Sequence, residues 1–448
     1  MKLSTKIAGG FGAAATAAFA AMPAWAQEVA EAAAAAPVPD KGDTAWMIVA
    51  TILVLAMAVP GLALFYGGLV RSKNMLSVLT QVLGVFCVGC LTWICWGYSL
   101  ALSDGNSIIG GTSRLFLSGI TADSTAATFS DGVVIPEYVF VAFQMTFAAI
   151  TAALVIGSLV ERVKFTAVML FALLWVTIVY SPIAHMVWYA GGLIFDMGAL
   201  DYAGGTVVHI NAGVAGLVGC IILGKRIGFP ETAMPPHSLV MTMIGTGLLW
   251  AGWMGFNGGS GLEANGGAGL TILNTFAATA AGVVTWLIGE QIIKGKPSML
   301  GGASGAIAGL VAITPGAGIA GPIGAIFLGI FGALGALIFV DKIKAKLGID
   351  ETLDVFGIHG VAGIIGSIGT GIVASADLGG IGLADGVTVG GQVVTQITAV
   401  AIAIAWSAIG SAIIFYLLKF TVGLRVTAEE EVDGLDISTH GERAYNNL

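Results

Sequence analysis

A chain of 448 residues in which 57% are hydrophobic and only 10% charged falls well below the roughly 25% charge of a soluble domain, so it stays folded only in apolar surroundings. Its 67 glycines fit the same setting: each costs about 1 kcal/mol in an exposed helix but lets membrane helices approach closely. A formal net charge of −8 with no large basic cluster argues against nucleic-acid binding.

Residues 1–26 read as a secretory signal. Lys2 and Lys6 open it, an Ala-rich apolar stretch runs from Ile7 to Phe19, and Ala24-Trp25-Ala26 is an A-x-A cleavage site. Residues 27–43, rich in Ala and Pro, then form an extracytoplasmic lead. A membrane span needs about 20 mostly apolar residues. Eleven such runs follow within 44–420, near 44–69, 76–102, 136–159, 165–188, 204–224, 237–257, 268–293, 299–314, 321–340, 355–375 and 391–418. The longest connection, Ser103 to Ile135, is rich in Gly, Ser and Thr and reads as an extracytoplasmic loop. Residues 421–448 are a charged tail.

Positive charge favours the cytoplasmic side. Alternate loops carry Arg71 and Lys73, Arg162 and Lys164, Lys225 and Arg226, Lys294 and Lys296, then Lys342, Lys344 and Lys346. The intervening loops carry only Arg114. Eleven spans with the N-terminus outside and the C-terminus inside place every one of those basic pairs and clusters on the same side, and a miscounted span would break that alternation. Cys87 and Cys90 form a C-x-x-C within an apolar run with no histidine nearby, so they read as small buried hydrophobes rather than redox or zinc chemistry.

The fifth and tenth runs share a motif. His209-Ile-Asn-Ala212-Gly213-Val-Ala-Gly216-Leu-Val-Gly219 and His359-Gly-Val-Ala362-Gly363-Ile-Ile-Gly366-Ser-Ile-Gly369 both read H-x-x-A-G-x-x-G-x-x-G. Five spans apart, the two copies cross the membrane in opposite senses, the mark of inverted five-helix repeats with an eleventh helix added. An ionisable side chain inside a span usually faces a cavity or a partner. A histidine can donate from one ring nitrogen and accept at the other, which suits a relay. His209 lies near the outer end of its run and His359 near the inner end of its own, so the two meet only if both helices begin below the surface. Otherwise they are separately satisfied core histidines.

Asp201, just ahead of the fifth run, could cap helix amides or hold a cation, and capping is the commoner role. Glu351 and Asp354 stand comparably before the tenth. Phe143, Phe147, Trp188, Trp250, Trp253 and Phe256 cluster at outer span ends, where interfacial belts are common. A cation held on ring faces is the sharper alternative, at roughly 0.5–2 kcal/mol per contact. Gly316-Ala-Gly318-Ile-Ala-Gly321 lacks the strand–helix setting of a dinucleotide fingerprint. Thr421-Val-Gly-Leu-Arg425 follows the last span and is no potassium filter. The sequence contains no P-loop, H-E-x-x-H or nucleophile elbow, hence no expected enzyme activity, cofactor or metal.

At these residues the chain resembles the ammonium transporter, methylammonium permease and Rhesus family, within it the bacterial ammonium transporter branch. The likeness is carried by Asp201 to Gly213, Asp354-Val-Phe-Gly-Ile-His359-Gly, Gly252-Trp-Met-Gly-Phe256-Asn-Gly-Gly-Ser260, Pro182-Ile-Ala-His-Met-Val-Trp188 and Leu435-Asp-Ile-Ser-Thr-His-Gly441. The resemblance implies a homotrimer in the bacterial inner membrane, with an apolar pore through each subunit. It implies ammonium recruitment at Phe143, Phe147, Trp188 and Ser260, a gate of Phe147 and Phe256, pore histidines His209 and His359, and Asp201 as a structural carboxylate. It further implies ammonium or ammonia as substrate and a PII-type regulatory partner at the cytoplasmic face. The rival readings are a sensor acting through that partner and a neutral gas channel.

Overall fold

The computed structural model describes residues 37–445; the predicted signal, 1–26, and residues 27–36 of the lead lie outside them. The described chain is almost wholly helical, with eleven helices long and apolar enough to cross a membrane. They run Lys41–Leu69, Ser72–Leu102, Glu137–Ile156, Phe165–Asp196, Gly205–Leu223, Leu239–Gly259, Gly266–Lys294, Met299–Gly316, Pro322–Leu347, Phe356–Val373 and Val389–Thr421. Each matches an apolar run expected from the sequence. The first begins three residues earlier than expected, because Asp40 caps it through a hydrogen bond from the Asp43 amide at 2.9 Å. Ser238, Asn265, Ser298 and Thr388 cap four further spans in the same way.

The two histidine-bearing spans open with π-helical turns, Gly205–Ile210 and Phe356–Val361, a local widening often found at functional positions. Their glycines make a reciprocal crossing. A Cβ at Gly213 would lie 2.5 Å from the Gly360 amide nitrogen, and one at Gly363 would meet Ile210 at 3.2 Å and His209 at 3.3 Å. Each copy of the motif therefore packs its glycine against the other copy's histidine turn, as the repeat requires.

The five basic loops converge on one face. Buried Glu161 accepts from Arg71 at 3.0 Å and Arg226 at 2.7 Å, and Arg226 also pairs with Asp350 at 2.7 Å. Fully buried Arg162 donates to the Asp350 carbonyl and to Thr352 Oγ1, both at 2.7 Å. Buried charges persist only when paired and hydrogen-bonded in this way. The charged tail docks on the same face through two short helices, Ala428–Asp433 and Leu435–His440. Its Asp436 accepts from the Leu76 and Ser77 amides at the start of the second span, at 3.1 and 2.8 Å. On the opposite face, the long loop forms a small antiparallel pair, Thr125–Ala127 with Val134–Pro136. Glu263 anchors that loop through Ser130.

One expectation fails. Cys87 is exposed, because its side of the second span turns away from the bundle, and Cys90 is only half-buried, at the edge of the core. Both are free thiols.

The crossing makes a test. Gly213→Ala should lower the thermal midpoint of the detergent-solubilised protein, since overpacking a close contact costs about 1–3 kcal/mol. Gly269→Ala, with nothing within 4 Å of its added carbon, should leave the midpoint unchanged or slightly raised.

Candidate functional site

The fifth span begins beneath the surface, and Asp201 makes that beginning possible. Its Oδ1 accepts from the Gly204 and Gly205 amides at 2.8 and 2.7 Å, and Oδ2 from Thr206 and Val207 at 2.8 and 3.1 Å. A helix start otherwise leaves such amides orphaned. Gly204, at φ 106°, makes the reversal that folds them around one carboxylate, a conformation that favours glycine. The Asp201 carbonyl accepts the Trp188 indole N–H at 3.0 Å, so the same residue also orients that ring.

Beside Asp201 lies a cavity of about 370 Å³ whose lining includes Phe147, Trp188, Ser260, Tyr202 and Gln144. Phe143 is fully buried and is not among the lining residues; it packs behind Phe147, ring centroids 4.9 Å apart. Trp188 meets Phe147 edge to face at 6.0 Å. Ser260 Oγ donates to the Phe256 carbonyl at 2.8 Å, so its hydrogen is occupied and its lone pairs remain free to accept. The cavity thus offers π faces and an acceptor, the complement of a small cation bearing N–H donors.

Phe147 and Phe256 stack face to face below, at 4.0 Å and 16°. Next come His209, 6.0 Å from Phe256 and stacked on Trp253 at 5.2 Å, and then His359, 5.3 Å from His209. The Nδ1 atoms of the two histidines are 3.1 Å apart. One must donate and the other accept, so two neutral rings share a single proton there and are opposite tautomers. Both rings are buried, and His209 Nε2 has no protein partner. Beyond them, toward the basic face, a second cavity of about 240 Å³ is lined by Trp286, Glu290, Lys294, Asp354 and Ile358 among others.

The sunken starts required for the histidines to meet are present in both repeats. Glu351 stands eight residues before His359, as Asp201 stands eight before His209. It accepts from the Phe356 amide at the start of the tenth span and from Ser158 Oγ. Asp354 pairs instead with Lys344. Burial, with the nearby Asp354 carboxylate, pushes the Glu351 pKa up to about 7.

The structure therefore brings together Phe147, Trp188, Ser260, Phe256, His209, His359 and Asp201 along one line, with Phe143 in support. Sequence reasoning passed over Gln144, although an amide between Phe143 and Phe147 in an apolar run was a visible signal. It also passed over Trp286 and Glu290, which lie toward the end of the seventh apolar run. Among the described residues no three His, Cys, Asp or Glu converge as a metal site would need.

The model of the Ammonium Transporter Family matches residues 45–445. The chain belongs to that family. It is 47% identical over 416 residues to an ammonium transporter of Aquifex aeolicus, covering 91% of this chain and 94% of that one. To an ammonium transporter of Bacillus subtilis it is 46% identical over 408 residues, covering 90% and 98%. Among solved structures, Saccharomyces cerevisiae Mep2 superposes with a TM-score of 0.78 at 36% identity, covering 88% of this chain and 90% of that one. A sensor Amt protein superposes at 0.81 with 29% identity, covering 89% and 98%. A multi-pass transporter family and the eleven helices agree.

The Glu351 shift fixes a pH dependence. A carboxyl whose pKa rises from 4.5 in the unfolded chain to about 7 in the fold keeps its proton longer in the native state. Stability should then fall as pH rises from about 4.5 to 7. Thermal unfolding of Glu351→Gln across that interval should show a flatter dependence than the parent.

Proposed function

We propose that this protein takes up ammonium across a bacterial inner membrane, with its basic face in the cytoplasm and its N-terminus outside. The observation that carries this reading is the stacked Phe147–Phe256 pair between an acceptor-lined aromatic cavity and a buried histidine pair. Ammonium settles against Trp188 and Phe147 and donates to Ser260, with Phe143 supporting Phe147 and Asp201 holding the mouth in shape.

An ion entering the apolar passage loses its hydration, and charge at that depth is expensive. Desolvation favours the neutral form of an amine, so the cation gives up its proton at the phenylalanine gate and ammonia passes His209 and His359. The proton follows through the imidazoles: it enters at a free ring nitrogen, displaces the shared Nδ1 proton, and leaves from the other ring. Ammonia then regains a proton in the second cavity. The protein works as a homotrimer, with a PII-type regulator docking on the cytoplasmic loops and tail. Residues 1–26 act as the export signal, the lead lies outside, and no cofactor enters the cycle.

A second reading, signalling, is favoured by the tail docked across the basic face and by the likeness to a sensor Amt protein. The first experiment is current from purified protein in liposomes after an ammonium pulse, with potassium as control. Ammonium-specific current supports transport. Ammonia flux without current supports a neutral gas channel, and neither signal, with regulator binding retained, moves signalling to the front. Replacing His209 and His359 together with leucine should reduce the ammonium current to background. Undiminished current in that variant would overturn the relay.

A further inference from the structure

The cavity beside Trp188 has a donor–acceptor balance that singles out one side chain. The Trp188 N–H is held by the Asp201 carbonyl, and the Ser260 hydrogen by the Phe256 carbonyl. Both Asp201 carboxylate oxygens are occupied by four amides, and the Tyr202 hydroxyl is paired with Thr271 at 3.2 Å. Gln144 lines the same cavity three residues before Phe147, with the apolar Phe140 and Leu102 also in its lining. Its Oε1 is buried with no hydrogen-bond partner. An amide oxygen left in that condition raises the energy of the empty site, and an arriving N–H donor relieves it. The last torsion of a glutamine side chain is soft, so the oxygen can turn toward a guest without displacing the helix.

We propose that Gln144 is a specificity-determining residue for the cation, its Oε1 accepting one N–H of the ammonium that rests on Trp188, Phe147 and Ser260. The assignment rests on the transport reading above. Ammonium directs four N–H bonds tetrahedrally: Ser260 takes one, the ring faces receive others, and Gln144 takes the one aimed at the third span. Methylammonium has only three N–H bonds and a methyl group to place, and the wall at Gln144 is where the missing acceptor contact is felt. The amide thereby favours the unsubstituted ion.

The test uses the full chain in liposomes and compares the concentration dependence of ammonium and methylammonium currents. Gln144→Leu and the equally long Gln144→Met both remove the acceptor, and two apolar shapes guard against a packing artefact. The half-saturating ammonium concentration should rise about tenfold, the size expected for one hydrogen bond to a charged group. The methylammonium value should move by less than about threefold, being short of that bond already. Gln144→Glu, which keeps an acceptor, should retain the preference for ammonium. Equal shifts for both ions mark a structural role and overturn the assignment, as does the absence of any shift. A parent protein that carries neither ion overturns the transport reading and the assignment with it, whereas normal parent transport with unshifted variants overturns the assignment alone.

Discussion

Everything at the centre of this molecule depends on starting a helix where no water can solvate its end. In an apolar slab each unsatisfied amide costs several kcal/mol, and an ordinary span therefore begins at the surface. Asp201 removes that requirement by receiving four successive amides on one carboxylate. The fifth span can then begin low, leaving a cavity above it and placing His209 well inside. Glu351 does related work for the tenth span with one amide and a serine hydroxyl. The histidines touch because both helices are shortened, each from its own side.

The pseudo-symmetry extends to the cavities but not to their chemistry. On one side, the bonded Trp188 N–H and Ser260 hydrogen leave π faces and lone pairs. On the other, Trp286 carries a buried indole N–H with no partner, and Glu290, Lys294 and Asp341 form a charged cluster. One cavity is left with hydrogen-bond acceptors, and the other offers a donor as well. The inverted repeat thus presents different surfaces to whatever stands at its two mouths.

Much of this was legible in the residues. The eleven apolar runs, the alternation of basic loops and the matched His209 and His359 motifs fixed the count of spans and the inverted repeat, because bilayer thickness and charge placement act directly on sequence. The meeting of the histidines was not legible, since it depends on how far each helix is recessed, and one capping carboxylate per repeat decides that. Phe143 illustrates another limit. Helical spacing puts it near Phe147, but only packing shows that it backs that ring rather than lining the cavity. Cys87 illustrates the reverse case: an apolar run reads the same whether its side chain faces the bundle or the lipid.

The Nδ1–Nδ1 hydrogen bond between His209 and His359 has a polarity, because one ring owns the shared proton. In the relay proposed above, a proton hop through the pair would hand that ownership over and leave the two-ring wire pointing backwards. The wire could carry another proton in the same sense only after the rings reoriented, because resetting them with protons supplied at the outer nitrogens would send the first proton back. Each passage in that proposal would therefore be a two-stroke cycle of hop and reorientation. His209 would have to reorient while stacked against Trp253, which would give the aromatic wall a hand in the tempo as well as in the shape of the passage.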